Sequence, residues 1–323
     1  MNIEKTDRIL VTGGKGFLGR VVCRKLKSSG YKNVIDLPGS RAPMSLDLTW
    51  YVDVAHLFNY HKPNIVIHLA ARVGGIGANK ENPGRFFYDN MSMGLNLIEE
   101  ARKHNCRKFL LTSTVCSYPK FTPVPFKESD IWEGYPEETN APYGIAKKAL
   151  MEMLQAYRNQ YELNGITLIP VNMYGPGDNF DPNSSHVIPA LILKFAQAKA
   201  NNDKEVVVWG SGKASREFLY VDDCADAVVT ALEQYEEPYP VNIGTGKEIT
   251  IKELAVLIGQ IIGYQGKIVF DSAKPDGQPR RCLDTSMAES FFGFKASVGL
   301  KEGLENTIGW FNESNLLNSY TGC

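Results

Sequence analysis

Apolar and polar positions along the first half of the chain switch between two periods. "RILVTGG" (8–14) is a short apolar run that breaks into glycines, and "FLGRVVCRKLKSSG" (17–30) follows with apolar residues three and four apart, ending on Gly30. Short apolar runs bounded by turn residues predict strands, and a 3.6-residue period predicts helix. The alternation continues with strands at "NVIDL" (33–37), "NIVIHLAA" (64–71) and "KFLLTSTV" (108–115), and with helices over "VDVAHLFNYHK" (52–62) and near 84–104. "APYGIAKKALMEMLQAYRNQY" (141–161) reads as a helix opened by Pro142. Further on, "GITLIP" (165–170) and "VVVWGSG" (206–212) read as strands, and "VNIGTG" (241–246) returns to the sheet. "HVIPALILKFAQAKA" (186–200) is an amphipathic helix, and "TIKELAVLIGQII" (250–262) is a helix opened by a Thr250/Glu253 capping box. The tail from Trp310 onward is expected to fray and to carry no function.

Strand and helix in strict alternation predict an α/β fold: a doubly wound parallel sheet whose ligand lies at the carboxyl ends of the strands. Residues 1–174 then form a dinucleotide-binding Rossmann domain, with 241–246 returning to its sheet, and 175–323 form a smaller C-terminal substrate-binding domain. Between the first strand and its helix lies G-x-x-G-x-x-G: Gly13, Gly16 and Gly19, with Lys15, Phe17 and Leu18 interleaved. Glycines there allow a tight turn and close approach to a pyrophosphate, and the helix N-terminus supplies free N–H groups. Asp36 ends the second strand, where a carboxylate accepts from the ribose 2′-OH of NAD. Lys15 and Arg41 supply cations that suit a 2′-phosphate, so NADPH and NADH both stay open.

Composition narrows the classes. Hydrophobic residues make up 43% of the 323 and charged residues 22%, which is globular, and the formal net charge of −1 offers no basic field for nucleic acid or a membrane surface. No apolar run is long enough to span a bilayer. "MNIEKTDRILVTGG" enters a strand almost at once, unlike a signal peptide. Cysteines 23, 106, 116, 224, 282 and 323 are scattered with no C-x-x-C, and the five histidines show no metal-ligand spacing. The expectation is a cytoplasmic protein with no metal.

Two stretches carry chemistry. Tyr143 and Lys147 are four apart on one helix face, where the ammonium is expected to favour the phenolate and make the tyrosine an acid/base. "TSTVCSYPK" (112–120) sits at the carboxyl end of the fourth strand. Its Cys116 reads from composition as a small buried hydrophobe or as a reactive thiol.

The glycine loop, "HLAA" with Ala70, the hydroxyls of 112–114 and Y-x-x-x-K together resemble the extended short-chain dehydrogenase/reductases. That resemblance implies that Thr114 orients the substrate, that Tyr143 passes a proton to the sugar oxygen, and that Lys147 tunes it and holds the nicotinamide ribose. "ARVGGIGANKENPGRFFYDN" (71–90), "CSYPK" (116–120), "NMYGPGDNF" (172–180), "SSHVIPAL" (184–191), "VVVWGSGKASREFLYVDD" (206–223) and "KPDGQPRR" (274–281) follow in order. They resemble the members that epimerise C3 and C5 of a GDP-linked 4-keto-6-deoxy sugar and then reduce C4 with NADPH. The resemblance implies Cys116 as base and His186 as acid, with His186 also near the cofactor. It implies Asn172, Lys194, Trp209, Arg216 and Arg281 around the GDP-sugar, and a homodimer through the 84–104 and 142–161 helices. A reductase of another GDP-linked 4-keto sugar is the alternative. A non-catalytic NADP(H)-binding regulator is a third reading, against which the Tyr143/Lys147 pair stands.

Overall fold

The computed structural model describes residues 3–37, 46–274 and 276–317. In chain order the elements are β1 (Arg8–Thr12), α1 (Phe17–Ser28), β2 (Asn33–Asp36), α2 (Tyr51–His61), β3 (Ile65–His68), α3 (Ile76–Glu81), α4 (Pro83–Lys103), β4 (Lys108–Thr112), α5 (Ala141–Tyr161), β5 (Gly165–Pro170) and β6 (Asn172–Tyr174). Then come α6 (Val187–Asn201), β7 (Glu205–Trp209), β8 (Ser215–Tyr220), α7 (Val221–Gln234), β9 (Pro240–Ile243), β10 (Glu248–Thr250), α8 (Ile251–Ile262), β11 (Lys267–Asp271), α9 (Ser286–Phe292) and α10 (Leu300–Glu313).

Six parallel strands form one sheet in the order β2-β1-β3-β4-β5-β9. Every residue of β3, β4 and β5 is buried, which is why these strands are continuous apolar runs rather than alternating ones: helices cover both faces. The strand order turns back between β1 and β3, and a doubly wound sheet opens its ligand crevice at that point. On one flank α4 and α5 pack together, with Gly94 so close to Leu150 that a Cβ there would lie 2.2 Å from Leu150 Cδ1.

A second apolar cluster gathers Phe180, Ile192, Phe195, Leu254, Ile258 and Phe311. Around it lie a three-stranded sheet, β10-β8-β6, and a parallel pair, β11-β7. The predicted fraying from Trp310 onward does not hold over the described residues 310–317, and the rest of that tail lies outside the described residues. Helix α10 continues to Glu313, and Phe311 is buried against Phe180 with ring centroids 4.8 Å apart. The burial of one large ring outweighs the polar composition of the tail around it.

The two regions are pinned by Glu217 in β8, which is fully buried. Its carboxylate accepts from the backbone N–H of Leu283 at 2.7 Å, of Gly246 at 2.8 Å and of Thr245. Glu217→Ala leaves these three donors with no partner, at about 1–3 kcal/mol for each one that water cannot reach. Urea unfolding is expected to show a loss of roughly 3 kcal/mol or more, with Glu217→Gln intermediate because one amide oxygen still accepts. A Glu217→Ala loss under about 1 kcal/mol would mean that the loops find other acceptors.

Candidate functional site

At the crevice, Gly13 leaves β1 with φ +69°, and a Cβ there would lie 2.9 Å from Ala70 N. A Cβ on Gly19 would lie 2.0 Å from Gly13 O, so α1 can meet the loop only as glycine. Gly16 is the N-cap, no side chain caps the helix, and no acidic residue occupies its first turn. Phe17 and Leu18 form that first turn. The open N–H groups and the space that a Cβ would fill fit a dinucleotide pyrophosphate. Beneath the crevice, Ala70 N donates to Thr12 Oγ1, which also meets the fully buried His68 at Nδ1.

A pocket of about 430 Å³ beside the loop is lined by Gly14, Lys15, Arg20, Arg24, Lys27 and Asp36. Asp36 is not alone there: Lys27 Nζ lies 3.5 Å from its Oδ2. Arg24 pairs with Asp222, and Arg20 donates to Pro176 O. Arg41, expected near this pocket, lies outside the described residues. Arg20, Arg24 and Lys27 escaped the sequence reading, although they recur at i, i+4 and i+7 along α1.

The catalytic candidates meet across β4 and α5. β4 ends at Thr112, earlier than expected, because Thr114 Oγ1 accepts from Cys116 N at 3.2 Å and caps one 3-10 turn, Val115–Ser117. That turn holds Cys116 half-buried, whereas Cys23, Cys106, Cys224 and Cys282 are buried. Gly144 lets α5 approach, since a Cβ there would sit 2.4 Å from Cys116 O. Ser117 Oγ donates to Gly144 O and locks the contact. Tyr143 is thereby set beside Thr114 and Cys116.

Burial raises the Tyr143 phenol above its ordinary value; negative charge on Cys116 adds to the rise, and the Thr114 hydrogen bond opposes it. Lys147 was expected to pull this phenol toward phenolate, and it does not. Lys147 is 1% exposed, its ammonium donates to Thr112 O at 3.0 Å, and burial lowers its own pKa to about 8. Tyr143 is thus held towards its neutral, protonated form.

Arg281 approaches the same thiol, with Nη1 3.6 Å from Cys116 Sγ. Arg216 lies close enough that Arg281, after burial, helps lower its pKa to about 10. Arg216 donates to Ser215 O and Asp276 O. Asp276 in turn holds Ser211 N and Oγ, both at 2.7 Å, at the turn after Trp209. Trp209 is 64% exposed and has two ammonium groups near it: Lys194 and Lys274 are each 5.3 Å from its ring centroid. Lys274 is an addition to the sequence reading. Asn172 spends its amide on Glu217 O.

His186 is the N-cap of α6 rather than its first residue. It stays in contact with water but is crowded by protein, and burial lowers its imidazole below the ordinary value. No hydrogen bond joins it to Cys116. The 73–76 loop runs beside it, with Gly75 N donating to Ser184 O.

Residues 9–244 match the NAD dependent epimerase/dehydratase family. The chain is 45% identical to "Putative GDP-L-fucose synthase 2" of Arabidopsis thaliana over 97% of its own length and 94% of the relative's. Among solved structures it is similar to a GDP-6-OMe-4-keto-L-xylo-heptose reductase from C. jejuni (TM-score 0.90, 29% identity, 98% of this chain and 100% of that one). It is also similar to a GDP-L-fucose synthetase from Naegleria fowleri bound to NADP (TM-score 0.88, 28% identity, 97% and 96%).

The lowered Lys147 value has a consequence for stability. The folded chain binds fewer protons here than the unfolded one between about 8 and the ordinary 10.5. Stability therefore rises with pH through that window and falls as pH drops through about 8. Relative to Lys147→Met, the wild type is expected to gain stability as pH rises from neutrality to about 10. Denaturant midpoints of both proteins at the two pH values check this, and a difference independent of pH would contradict it.

Proposed function

The chain belongs to the NAD dependent epimerase/dehydratase family, and we propose that within it the protein converts GDP-4-keto-6-deoxy-D-mannose to GDP-L-fucose by inverting C3 and C5 and then reducing C4. The observation that carries this reading is the meeting of Thr114, Cys116 and Tyr143 at one strand end, in a chain similar over nearly its full length to a GDP-L-fucose synthase. Residues 1–174, with 241–246, hold the cofactor, and 175–323 mainly hold the GDP-sugar.

Protons on C3 and C5 are acidified by the C4 ketone, because the enolate delocalises onto oxygen. Cys116 removes them from one face. The hydroxyls of Thr114 and Tyr143 stabilise the enolate oxygen. His186 returns a proton on the other face, its basicity restored by the negative charge that builds on the sugar. NADPH, when bound, supplies the hydride for C4. Tyr143, held protonated by burial, gives its proton to the C4 oxygen, and Lys147 fixes the wall behind it.

Arg216, Arg281, Lys194, Trp209 and Asn172 line the sugar-nucleotide side. Lys194 and Lys274, each 5.3 Å from the Trp209 ring centroid, suit phosphate and a stacked ring. Phe87, Tyr88 and Leu95 on α4 and Tyr161 on α5 are exposed apolar groups, which supports a homodimer through these helices. Among the described residues no helix is long and apolar enough to cross a membrane. With the five described cysteines unpaired, a reducing cytoplasm fits. The likeness to the heptose reductase favours a second reading, reduction of C4 alone on another GDP-linked 4-keto sugar.

Incubation with GDP-4-keto-6-deoxy-D-mannose and NADPH, with products read by NMR, separates the two. GDP-L-fucose is expected, and no turnover would sink both the epimerase and the reductase on this substrate. In D₂O, Cys116→Ser is expected to abolish deuterium entry at C3 and C5 while hydride still reaches C4, because a hydroxyl does not ionise near neutrality. GDP-L-fucose with deuterium at both carbons from that variant would remove Cys116 from the chemistry.

NADPH is the expected cofactor, since the synthetase from Naegleria fowleri holds NADP and Lys27 offsets the Asp36 charge that would repel a 2′-phosphate. Lys27→Ala is expected to lower kcat/KM for NADPH by roughly tenfold, the weight of one charged contact, and to change NADH far less. Equal losses with both cofactors would show that Lys27 does not serve the 2′ position.

A further inference from the structure

We propose that Arg281 is the counter-ion that holds Cys116 as its thiolate, and that Gln278 is the residue that aims it. The proposal rests on the reading of Cys116 as the base for C3 and C5, and it assigns how that base is kept ready.

Arg281 is 7% exposed and Gln278 4%. One edge of the guanidinium is spent on Gln278: Nε and Nη2 both donate to its Oε1, at 3.1 and 2.9 Å. The remaining nitrogen, Nη1, donates toward Cys116 Sγ at 3.6 Å. The Gln278 amide cannot turn over to face Arg281 with its nitrogen. Its Nε2 donates to Lys120 O at 3.0 Å, so only Oε1 is left for the arginine. The chain Lys120 O, Gln278, Arg281, Cys116 therefore has one sense.

Charge gives the second argument. Among the described residues no carboxylate forms an ion pair with Arg281, although the side chain is almost enclosed. A buried cation needs an opposite charge nearby or a dense set of acceptors. Gln278 provides a neutral acceptor only. Arg216, the other cation of this corner, makes matters worse by repulsion. Among the described residues, the side chain hydrogen-bonded to Arg281 that can become an anion is the Cys116 thiol, and thiolates form where cations surround them.

In the step this serves, Cys116 first gives its thiol proton to solvent water, leaving the thiolate against Arg281. The thiolate then takes the proton from C3 or C5. The C–H electron pair moves into the enolate, whose charge lies on the C4 oxygen, and the neutral thiol is restored. No redox change occurs at sulfur. Arg281 touches the thiol rather than the sugar here, so it is a positioning residue for this step.

The test reads the thiol without substrate. The rate of alkylation of Cys116 by iodoacetamide is followed by peptide mass spectrometry from about pH 5 to 10 in the full-length, NADPH-loaded protein. Arg281→Gln is expected to move the midpoint of the pH–rate curve up by about one unit or more, which is roughly tenfold slower alkylation near neutrality. Arg281→Lys is expected to recover part of the shift, because the charge remains while the fork is lost. Gln278→Glu keeps the shape but sets a carboxylate on the guanidinium, and it is expected to shift the midpoint in the same direction. If Arg281→Gln does not fold, as judged by loss of NADPH fluorescence on binding, Gln278→Glu decides alone. Midpoints that coincide with wild type overturn the proposal; a rise in substrate KM with an unmoved midpoint does so too, assigning Arg281 to the diphosphate. Shifted midpoints together with a Cys116→Ser enzyme that still makes GDP-L-fucose leave the counter-ion standing and remove Cys116 as the base.

Discussion

Glu217 is enclosed by protein, and three backbone N–H groups from two different loops converge on its carboxylate. The cost of enclosing a charge is offset only while all three donors point at it. That requirement fixes the geometry around it. Gly244 cannot carry a side chain, since a Cβ would meet Glu217 Oε1 at 2.2 Å. Segment 279–283 must run beside β8, with Ser215 N bonded to Pro279 O and Glu217 N to Arg281 O. Arg216 and Arg281 are therefore set on adjacent backbones, with Glu217 N bonded to Arg281 O. Without the clasp, neither guanidinium has a reason to lie near Cys116, which sits 165 residues away from Arg281 along the chain.

On the other wall the constraint is steric. Thr114 ends the strand by capping a single turn, and Gly144 allows the helix to close on that turn. Backbone contact brings Tyr143 to Thr114 and Cys116, while Lys147 lands under the strand end and binds Thr112 O. A buried ammonium with one acceptor is a poor device for stability, as its lowered pKa records. It makes sense where the site has to be rigid and where a bound nucleotide would bring further acceptors.

The parallel sheet was readable because strands buried on both faces are unbroken apolar runs, and "IVIH", "KFLLT" and "GITLIP" are such runs. The glycine loop and the Tyr143/Lys147 pair were readable because their spacing is local. The second region was not. β6 and β10 are three residues each, too short to show a period, and segment 279–283 pairs with β8 without forming a patterned strand. Gln278 lies in a polar loop where nothing marks it. Its role depends on a contact with Lys120 O that no local pattern contains. The cations of α1 were in plain view at helical spacing, but the Lys27–Asp36 pair requires knowing that the end of α1 returns to the end of β2. The direction of the Tyr143 shift was misjudged for a related reason: helical spacing puts Lys147 on the same face, while burial and the Thr112 carbonyl decide where its charge goes.

The proton inventory of the site then has a consistent order. A site that must both remove and deliver protons at one pH needs groups whose environments push them apart. The thiol sits beside a guanidinium, and the phenol sits in protein, which favours its neutral form. The two are coupled, because negative charge on Cys116 is itself one of the causes that raise Tyr143. On the proposed reading, a thiolate waiting for a sugar proton holds the phenol back from releasing its own. Once Cys116 has taken a proton from C3 or C5, that repulsion is gone and Tyr143 becomes the better acid. With Cys116 proposed for inversion and Tyr143 for reduction, the same two side chains therefore also favour doing them in that sequence.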